Sequence, residues 1–297
     1  MTLKQGKLVL VSVLGVLLIA ALCFAATSGL RGCMNGHSRP FGHGDIAFDI
    51  SPTGKQIVFS AVGDGGRDLY LLDLKTRRVV QLIKSPDYEG SPAFSPDGKS
   101  IVYAAGTVGD KADHLFIRSL NGSSVKQVTA ASYNDASPSF STDGSQIIFA
   151  RNLTYSWGGL AASWGRDKMT CVVKPDGTQL RRATSKDLIA LSSDLKGDGR
   201  TTLPDGKQIA FIKLQNAQIH IRNANGKFVR QLTHVNGSCR KLRLTRDGKR
   251  ILFLAESWPN GPSGAMKYSL WEVETAGGNT HQIADSQLFD NPLTWSP

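Results

Sequence analysis

Several features that define common protein classes are scarce or absent in this sequence. Four cysteines among 297 residues are too few for the disulfide framework of a small secreted domain. The chain also lacks the Gly-x-Ser-x-Gly, His-Glu-x-x-His, Cys-x-x-Cys and Gly-x-x-x-x-Gly-Lys-Ser/Thr motifs. Its six histidines are scattered, so the sequence predicts no metal and no other cofactor. These absences argue against an enzyme.

A glycine-containing turn recurs along the chain. Its clearest copy is Ser95-Pro96-Asp97-Gly98-Lys99, in which proline presets one turn dihedral and Asp-Gly permits a tight reversal. Each copy precedes a short apolar strand, and these strands read QIVFS, SIVYA, QIIFA, QIAFI and RILFL. The turn glycines are separated by 44, 46, 62 and 42 residues and are Gly54, Gly98, Gly144, Gly206 and Gly248.

Each repeat predicts four short antiparallel strands. A third strand follows in most repeats, as in LYLLDL and HLFIRSL, and a fourth ends with glutamine beside an apolar residue, as in VVQLI and VKQVT. One such sheet cannot bury both faces alone, so it needs neighbours of its own kind. A period of about 40–45 residues with four strands per unit is typical of propeller blades. The sequence therefore predicts an all-β fold, a β-propeller.

Motifs from these repeats resemble a known family. Ser-Pro-x-Phe-Ser-Pro-Asp-Gly-Lys followed by Ile-Val-Tyr, then Leu-x-x-x-Asp-Leu and Gln-Leu-Thr, resembles the TolB-like, WD-repeat-like β-propeller, without the α/β domain that precedes the propeller in TolB. The resemblance covers residues 45–297 and implies a propeller of the six-bladed type. The repeat is also similar to the propellers of prolyl-oligopeptidase-type hydrolases and of some pectin-degrading lyases.

The repeat boundaries predict five full four-stranded blades and the first strand of a sixth. Asn291–Pro297 matches the innermost strand and first turn residues of a blade, as in SPAFSP. In the fourth repeat, a match of Ile189–Asp194 to PAFSPD predicts a first turn lengthened by Leu195–Pro204. The resulting ring would be incomplete, with exposed strand edges.

The N-terminal residues predict a membrane anchor. Lys4 and Lys7 precede Leu8–Ala26, which are 19 uncharged and mainly apolar residues, long enough for a helix of roughly 28 Å. The positive charges predict a cytoplasmic N-terminus and a propeller outside the cytoplasm. A cleaved signal peptide or a lipoprotein signal ending at Cys33 are the alternatives. The chain accordingly divides into an anchor over residues 1–30, a tether over 31–44 and the propeller over 45–297.

Two long loops and four acidic residues are the predicted binding residues. The loops follow the second strands of the third and fifth repeats and carry Tyr155, Trp157, Trp164 and Trp258, and tryptophan is favoured at contact hot spots. The acidic residues stand in the connections between blades, where a ring at the channel mouth would hold a cation and turn chemistry is the alternative. They are Glu89, Asp135, Asp187 and Asp290.

The formal net charge of +11 is predicted to lie mainly on the opposite face. The first turns and the turns between strands three and four carry most of these cations, and both turn types share one end of the sheets. Anionic lipid headgroups or acidic envelope polymers would be attracted there. No aromatic residues interleave these charges, so the sequence does not predict nucleic-acid binding.

Together these patterns predict a membrane-anchored β-propeller of the bacterial cell envelope. Its predicted role is a scaffold that binds a protein or an envelope polymer in the periplasm or extracellular space, with a secreted form as the alternative location. A metal-dependent enzyme at the channel mouth, similar to saccharide lyases, is one alternative function. A regulatory propeller related to those of prolyl-oligopeptidase-type hydrolases is the other.

Overall fold

The computed structural model describes residues 46–296, except for 63–65, 86–87, 107–111, 131–132, 153–167, 186, 188–198 and 260–265. Ile46–Pro297 forms one compact unit, and the residues before it belong to a separate unit. The predicted anchor and tether, residues 1–44, lie outside the described part of the chain. Within that part, no helix is both long and apolar enough to cross a bilayer.

The described residues fold into successive four-stranded antiparallel sheets, which we number one to five in chain order. Each sheet follows the order of its strands in the sequence, and a parallel pairing of Arg67 with Tyr88 joins sheets one and two. The all-β prediction of four-stranded units is confirmed. The strands of the five sheets are β1 Phe48–Ile50, β2 Gln56–Val62, β3 Arg67–Asp73 and β4 Val79–Ile83; β5 Tyr88–Phe94, β6 Ser100–Gly106, β7 His114–Ser119 and β8 Val125–Gln127; β9 Asn134–Phe140, β10 Ile147–Asn152, β11 Lys168–Val173 and β12 Arg181–Arg182; β13 Arg200–Thr202, β14 Gln208–Lys213, β15 Gln218–Asn223 and β16 Phe228–Gln231; β17 Ser238–Leu244, β18 Arg250–Ser257, β19 Lys267–Glu274 and β20 His281–Ala284.

The repeated turn has the geometry that its sequence predicts. In sheet two, the Gly98 N–H donates to the Ser95 carbonyl over 2.9 Å, and Gly98 has a φ of +71°. The Asp97 carboxylate accepts from the Ser95 hydroxyl at 2.6 Å and from the Lys99 N–H at 3.0 Å. These two bonds lower the pKa of Asp97, the Ser95 hydroxyl contributing most. Glycine adopts this left-handed backbone more readily than other residues, which explains why it occupies the fourth position of the motif.

Buried side chains from the second and third strands fill the space between neighbouring sheets. Because successive strand residues point to opposite faces, strands that are apolar at consecutive positions bury both faces of a sheet. Four buried clusters join pairs of sheets. Val58 and Leu69 of sheet one meet Ile101 and Tyr103 of sheet two, and Val102 and Leu115 of sheet two meet Phe149 and Cys171 of sheet three. Ala210 and Ile219 of sheet four meet Phe253 and Val273 of sheet five, and Leu252 and Leu270 of sheet five meet Phe59 and Tyr70 of sheet one.

The first turn of sheet four has ordinary length, so the predicted lengthening by Leu195–Pro204 is wrong. The Gly206 N–H donates to the Leu203 carbonyl over 2.9 Å, as in the other first turns. Strand β13 ends at Thr202 and pairs with β14 directly across this turn, with Thr202 opposite Ile209. The additional residues of the fourth repeat therefore come before the innermost strand, where they leave its pairing unchanged.

The C-terminal residues do not form the predicted first strand of a sixth blade. Helix α1, Gln287–Asp290, follows β20, and the chain continues in turns to Thr294. Leu288, Phe289 and Trp295 are buried in the cluster between sheets five and one, and the Phe289 ring meets Phe59 edge to face at 5.7 Å. A lone strand would have left its backbone groups without partners, whereas this segment buries three large apolar side chains.

Candidate partner-binding face

One end of the sheets carries both the connections between strands two and three and the connections to the next sheet. Two backbone hydrogen bonds hold these connections together: Asp135 N–H donates to the Asp113 carbonyl over 2.9 Å, and Cys239 N–H donates to the Ala217 carbonyl over 2.7 Å. Both bonds link the second connection of one sheet to the first strand of the next. We call this end the loop face, and the opposite end the turn face.

Large apolar side chains are exposed at the loop face. Trp258, which follows β18, is 46% exposed, and its role in binding stays a prediction. Val62 at the end of β2 and Leu214 between β14 and β15 are 55% and 97% exposed, respectively. The other predicted aromatic residues, Tyr155, Trp157 and Trp164, lie outside the described residues. The face therefore presents Trp258 together with apolar residues that the loop prediction did not include.

Leu214 stands on a turn that is braced from several sides. The Ala217 N–H donates to the Lys213 carbonyl over 2.8 Å, and Ala217 has a left-handed φ of +51°. The Asn216 amide oxygen accepts from the Gln218 N–H at 3.2 Å, and the Asn216 amide nitrogen donates to Gln231 Oε1 at 3.3 Å. The turn is fixed in place while the leucine side chain remains in solvent.

Sequence reasoning missed Leu214, although a signal was present. The short connection Lys-Leu-Gln-Asn lies between two strands at a place where turns normally carry glycine or polar residues. An apolar residue at the tip of such a turn gains nothing from folding, because it stays exposed. Its position is therefore a reason to look for a contact with another molecule.

The base of the Trp258 loop is packed closely against the strand that begins sheet five. Gly237 has a φ of +130°, and a methyl group added there would lie 2.4 Å from the Glu256 carbonyl oxygen. Beside it, Arg240 Nε donates to Glu256 Oε2 over 2.7 Å. Both contacts hold the end of β18, so Trp258 leaves a well-supported strand.

The loop face of sheet four also carries positive charge beside Leu214. Arg200 begins β13 and Lys213 ends β14, and both side chains are exposed. Neither side chain has an ion pair with a carboxylate in the described part of the chain. The apolar tip is therefore flanked by cations that are available to an anionic group.

Two of the four predicted acidic residues lie near the start of the first strand of their sheets. Glu89 is the second residue of β5 and Asp135 the second of β9, and both are buried. Glu89 accepts a hydrogen bond from the Ser85 hydroxyl at 2.5 Å. Asp135 accepts two bonds of 2.7 Å from the Arg151 guanidinium. These carboxylates are engaged within the protein.

The predicted placement of the other two acidic residues is wrong. Asp187 follows the outermost strand β12 and accepts two hydrogen bonds from Arg181, at 2.7 and 2.8 Å. Those bonds, and others from Thr184, hold the pKa of the Asp187 carboxyl far below its usual range. Asp290 lies in α1 and pairs with Lys267 at 2.5 Å. The sequence match failed here because β13 begins later, and α1 replaces the expected strand.

The four carboxylates therefore do not form a ring around a common point. Asp135, Asp187 and Asp290 each have a cationic partner of their own, and no group of three or more histidine, cysteine, aspartate or glutamate side chains in the described residues is placed to hold a metal. Local pairing and turn chemistry account for their positions.

Comparisons with known proteins agree with the repeat. The model of the TolB beta propeller domain matches residues 41–157. Similar solved structures include TolB from Acinetobacter baumannii, with 20% identity over 81% of this chain and 52% of that chain and a TM-score of 0.40. Oligogalacturonate lyase from Vibrio parahaemolyticus has 17% identity over 81% and 67% of the two chains, with a TM-score of 0.36. The AtxE2 isopeptidase has 12% identity over 80% and 45%, with a TM-score of 0.47.

This chain spans about half to two thirds of the length of the TolB structures that it resembles. No curated protein matches its sequence. The family match covers the first two repeats and part of the third, and the same turn and strand pattern continues through sheets four and five. Over residues 41–157 the chain is thus similar to the TolB beta propeller domain.

Proposed function

We propose that this chain is a scaffold of the bacterial cell envelope that binds a protein, or an envelope polymer, through its loop face and catalyses no reaction. In this proposal residues 1–30 anchor the chain in the inner membrane, and the five sheets are propeller blades on the periplasmic or extracellular side. The apolar run Leu8–Ala26 after two lysines supports the anchor.

The observation that carries the proposal is the exposure of Leu214 on a braced turn. A rigid turn loses little conformational freedom on binding, so an apolar group that it presents contributes more of its burial energy to affinity. Burying a leucine side chain is worth roughly 1.5–3 kcal/mol. Trp258 adds a second large side chain on the adjacent sheet, of the residue type most enriched at hot spots.

The charges beside Leu214 favour a partner with acidic groups around an apolar site. Exposed arginine and lysine at the rim of a contact accelerate association with an anionic partner and reject cationic ones. Arg200 and Lys213 occupy such rim positions on sheet four. Charge would therefore select the partner, and the leucine and tryptophan would hold it.

The proposal is tested by capturing partners from solubilised envelope with the full chain. We expect Leu214→Ser and Trp258→Ala each to weaken capture by about 2 kcal/mol or more, or roughly thirtyfold. Val229→Ser is the matched control, because Val229 is an exposed valine within strand β16, away from the loop face. Thermal unfolding of all variants should stay close to that of the wild type.

Two results would contradict the proposal. One is equal capture of the same partners by the wild type and both loop-face variants. The other is a loss of capture that follows a loss of folded protein, since this would make Leu214 and Trp258 structural residues.

A further inference from the structure

The turn face combines exposed cations with exposed apolar side chains in a repeated pattern. Its first turns carry exposed lysines in four of the five sheets, and these are Lys55, Lys99, Lys207 and Lys249. The turns between strands three and four, with the first residues of the strands that follow, add exposed cations, among them Lys75, Arg78, Lys126 and Lys227. The two kinds of turn are adjacent, because the Leu120 N–H donates to the Lys99 carbonyl over 2.9 Å and equivalent bonds occur in sheets one, four and five.

The aspartates in the turns of this face are turned toward their own backbone. The Asp143 carboxylate accepts from the Ser141 hydroxyl at 2.6 Å and from the Ser145 N–H at 3.0 Å. Aspartates in the other turns make the same kind of contact, and they are Asp73, Asp97, Asp176, Asp205 and Asp247. These carboxylates stay ionised and accept hydrogen bonds from local N–H and hydroxyl groups, whereas the lysine side chains of the first turns are exposed to solvent.

Exposed apolar side chains also stand close to these cations in the sequence. In four sheets a large apolar residue at or next to the start of the outermost strand is exposed, and these residues are Val80, Val125, Leu180 and Phe228, the last 57% exposed. Each is within two residues of an exposed lysine or arginine in the sequence. Burial in the fold does not explain why four apolar residues near the starts of these strands are exposed.

We infer that the turn face docks onto an anionic lipid bilayer. Interfacial membrane binding requires apolar groups that enter the boundary of headgroups and acyl chains, together with cations that attract anionic lipids. The turn face offers both, because its exposed apolar residues stand within two positions of exposed lysines or arginines. An acidic saccharide polymer would use the cations but would gain nothing from exposed valine and leucine. This inference does not depend on the partner proposed for the loop face.

Quenching of an introduced tryptophan by brominated lipid tests the inference. Val80 and Val62 are exposed valines of sheet one, 43% and 55% exposed, on the turn face and the loop face, respectively. Full-length Val80→Trp and Val62→Trp chains are reconstituted in vesicles containing brominated phosphatidylglycerol, so both keep the same N-terminus and native tryptophans. We expect additional quenching for Val80→Trp alone, and its loss at about 0.5 M salt, where screening is strong.

Removing turn-face cations sharpens the test. In the Val80→Trp background, replacing Lys55, Lys99, Lys207 and Lys249 by glutamine should weaken docking, by about fivefold for each cation near the surface. Equal quenching of the Val80→Trp and Val62→Trp chains would overturn the inference. Equal quenching by brominated phosphatidylcholine would also overturn it, since charge would then play no part. Binding of soluble polygalacturonate without any quenching would assign the face to an acidic polymer instead.

Discussion

Two contacts between sheets are built from equivalent strands and yet differ in packing. Between sheets five and one, Phe59 stacks on Tyr70 at 5.6 Å and is covered by Leu252, Leu254 and Phe289. In sheet four, the corresponding pair, Phe211 and His220, lies outside the buried cluster that joins sheets four and five. No buried cluster of the described residues joins sheet four to sheet three.

The difference begins with single residues at one register position. The residue opposite the central aromatic of strand two is Tyr70 in sheet one, Phe116 in sheet two and His220 in sheet four. His220 lies between Phe211 and Phe228, with ring centroids 5.9 and 5.6 Å away. Because His220 is polar and Phe228 is exposed, this side of sheet four offers less apolar surface for packing than the equivalent sides of the other sheets.

The first turns show the same contrast. A methyl group added to Gly98 would lie 3.4 Å from Pro52, and one added to Gly144 would lie 3.5 Å from Pro96, because each turn packs on its neighbour. A methyl group on Gly206 would meet nothing within 4 Å. Packing between sheets is therefore local: each contact needs complementary residues on both sides, and a shared repeat does not guarantee them.

The largest expected effect separates the two contacts directly. Phe59→Ala should lower the free energy of unfolding by about 4 kcal/mol, because it opens a cavity in a fully buried cluster. Phe211→Ala should cost only about 1–2 kcal/mol, since its ring is already partly exposed. Denaturant unfolding of the purified full chain in detergent measures both. Similar losses for the two variants would show that the contacts are equally packed.

A second prediction compares the two ion pairs of sheet three, Asp135–Arg151 and Asp187–Arg181. Asp135→Asn should cost about 3 kcal/mol, because the Arg151 guanidinium would remain buried with one of its bonds weakened and its counter-charge gone. Asp187→Asn should cost clearly less, since the Arg181 side chain is 43% exposed and returns to water. Thermal unfolding of the two variants gives the order. The reverse order would contradict the larger cost expected for the buried pair Asp135–Arg151.

The smallest expected effect is a pH dependence at His220. Burial lowers the pKa of this imidazole, with smaller contributions from Lys213 and His234. The unfolded chain then binds a proton more readily than the folded one, so wild-type stability should fall as the pH drops below about 6.5. His220→Phe, which restores the aromatic residue of sheet two, should remove that part of the loss. Unfolding of the wild type and of His220→Phe is measured at pH 7.5 and at pH 5.5. An unchanged pH dependence of stability in the variant would exclude His220 as its source.

Much of the fold follows from local sequence signals. The Ser-Pro-Asp-Gly turn and the apolar strand after it predict β2, β6, β10, β14 and β18, because the turn closes through its own hydrogen bonds. The third and fourth strands follow from the same spacing. Trp258 was identified from its loop, since a long connection between two strands must lie at an end of the sheet.

The residues of the candidate site were harder to predict from the sequence. Leu214 looks like any leucine near a strand until the turn around it is seen. Asp187 matched the repeat only by assuming that the extra residues of the fourth unit lengthened its first turn, and β13 begins after them instead. Equal spacing predicts position only where no residues are inserted.

The sequence by itself determined the all-β class, the four-stranded units, the tight turns and the basic turn face, since each depends on neighbours a few residues apart. The tertiary structure decided which contacts between sheets are filled, where α1 and Trp295 pack, and which carboxylates are neutralised. Those outcomes depend on residues far apart in the chain, such as Phe59 with Phe289, whose fit is set by shape and burial. Local pattern fixes the strands, and complementary packing between distant residues fixes their arrangement.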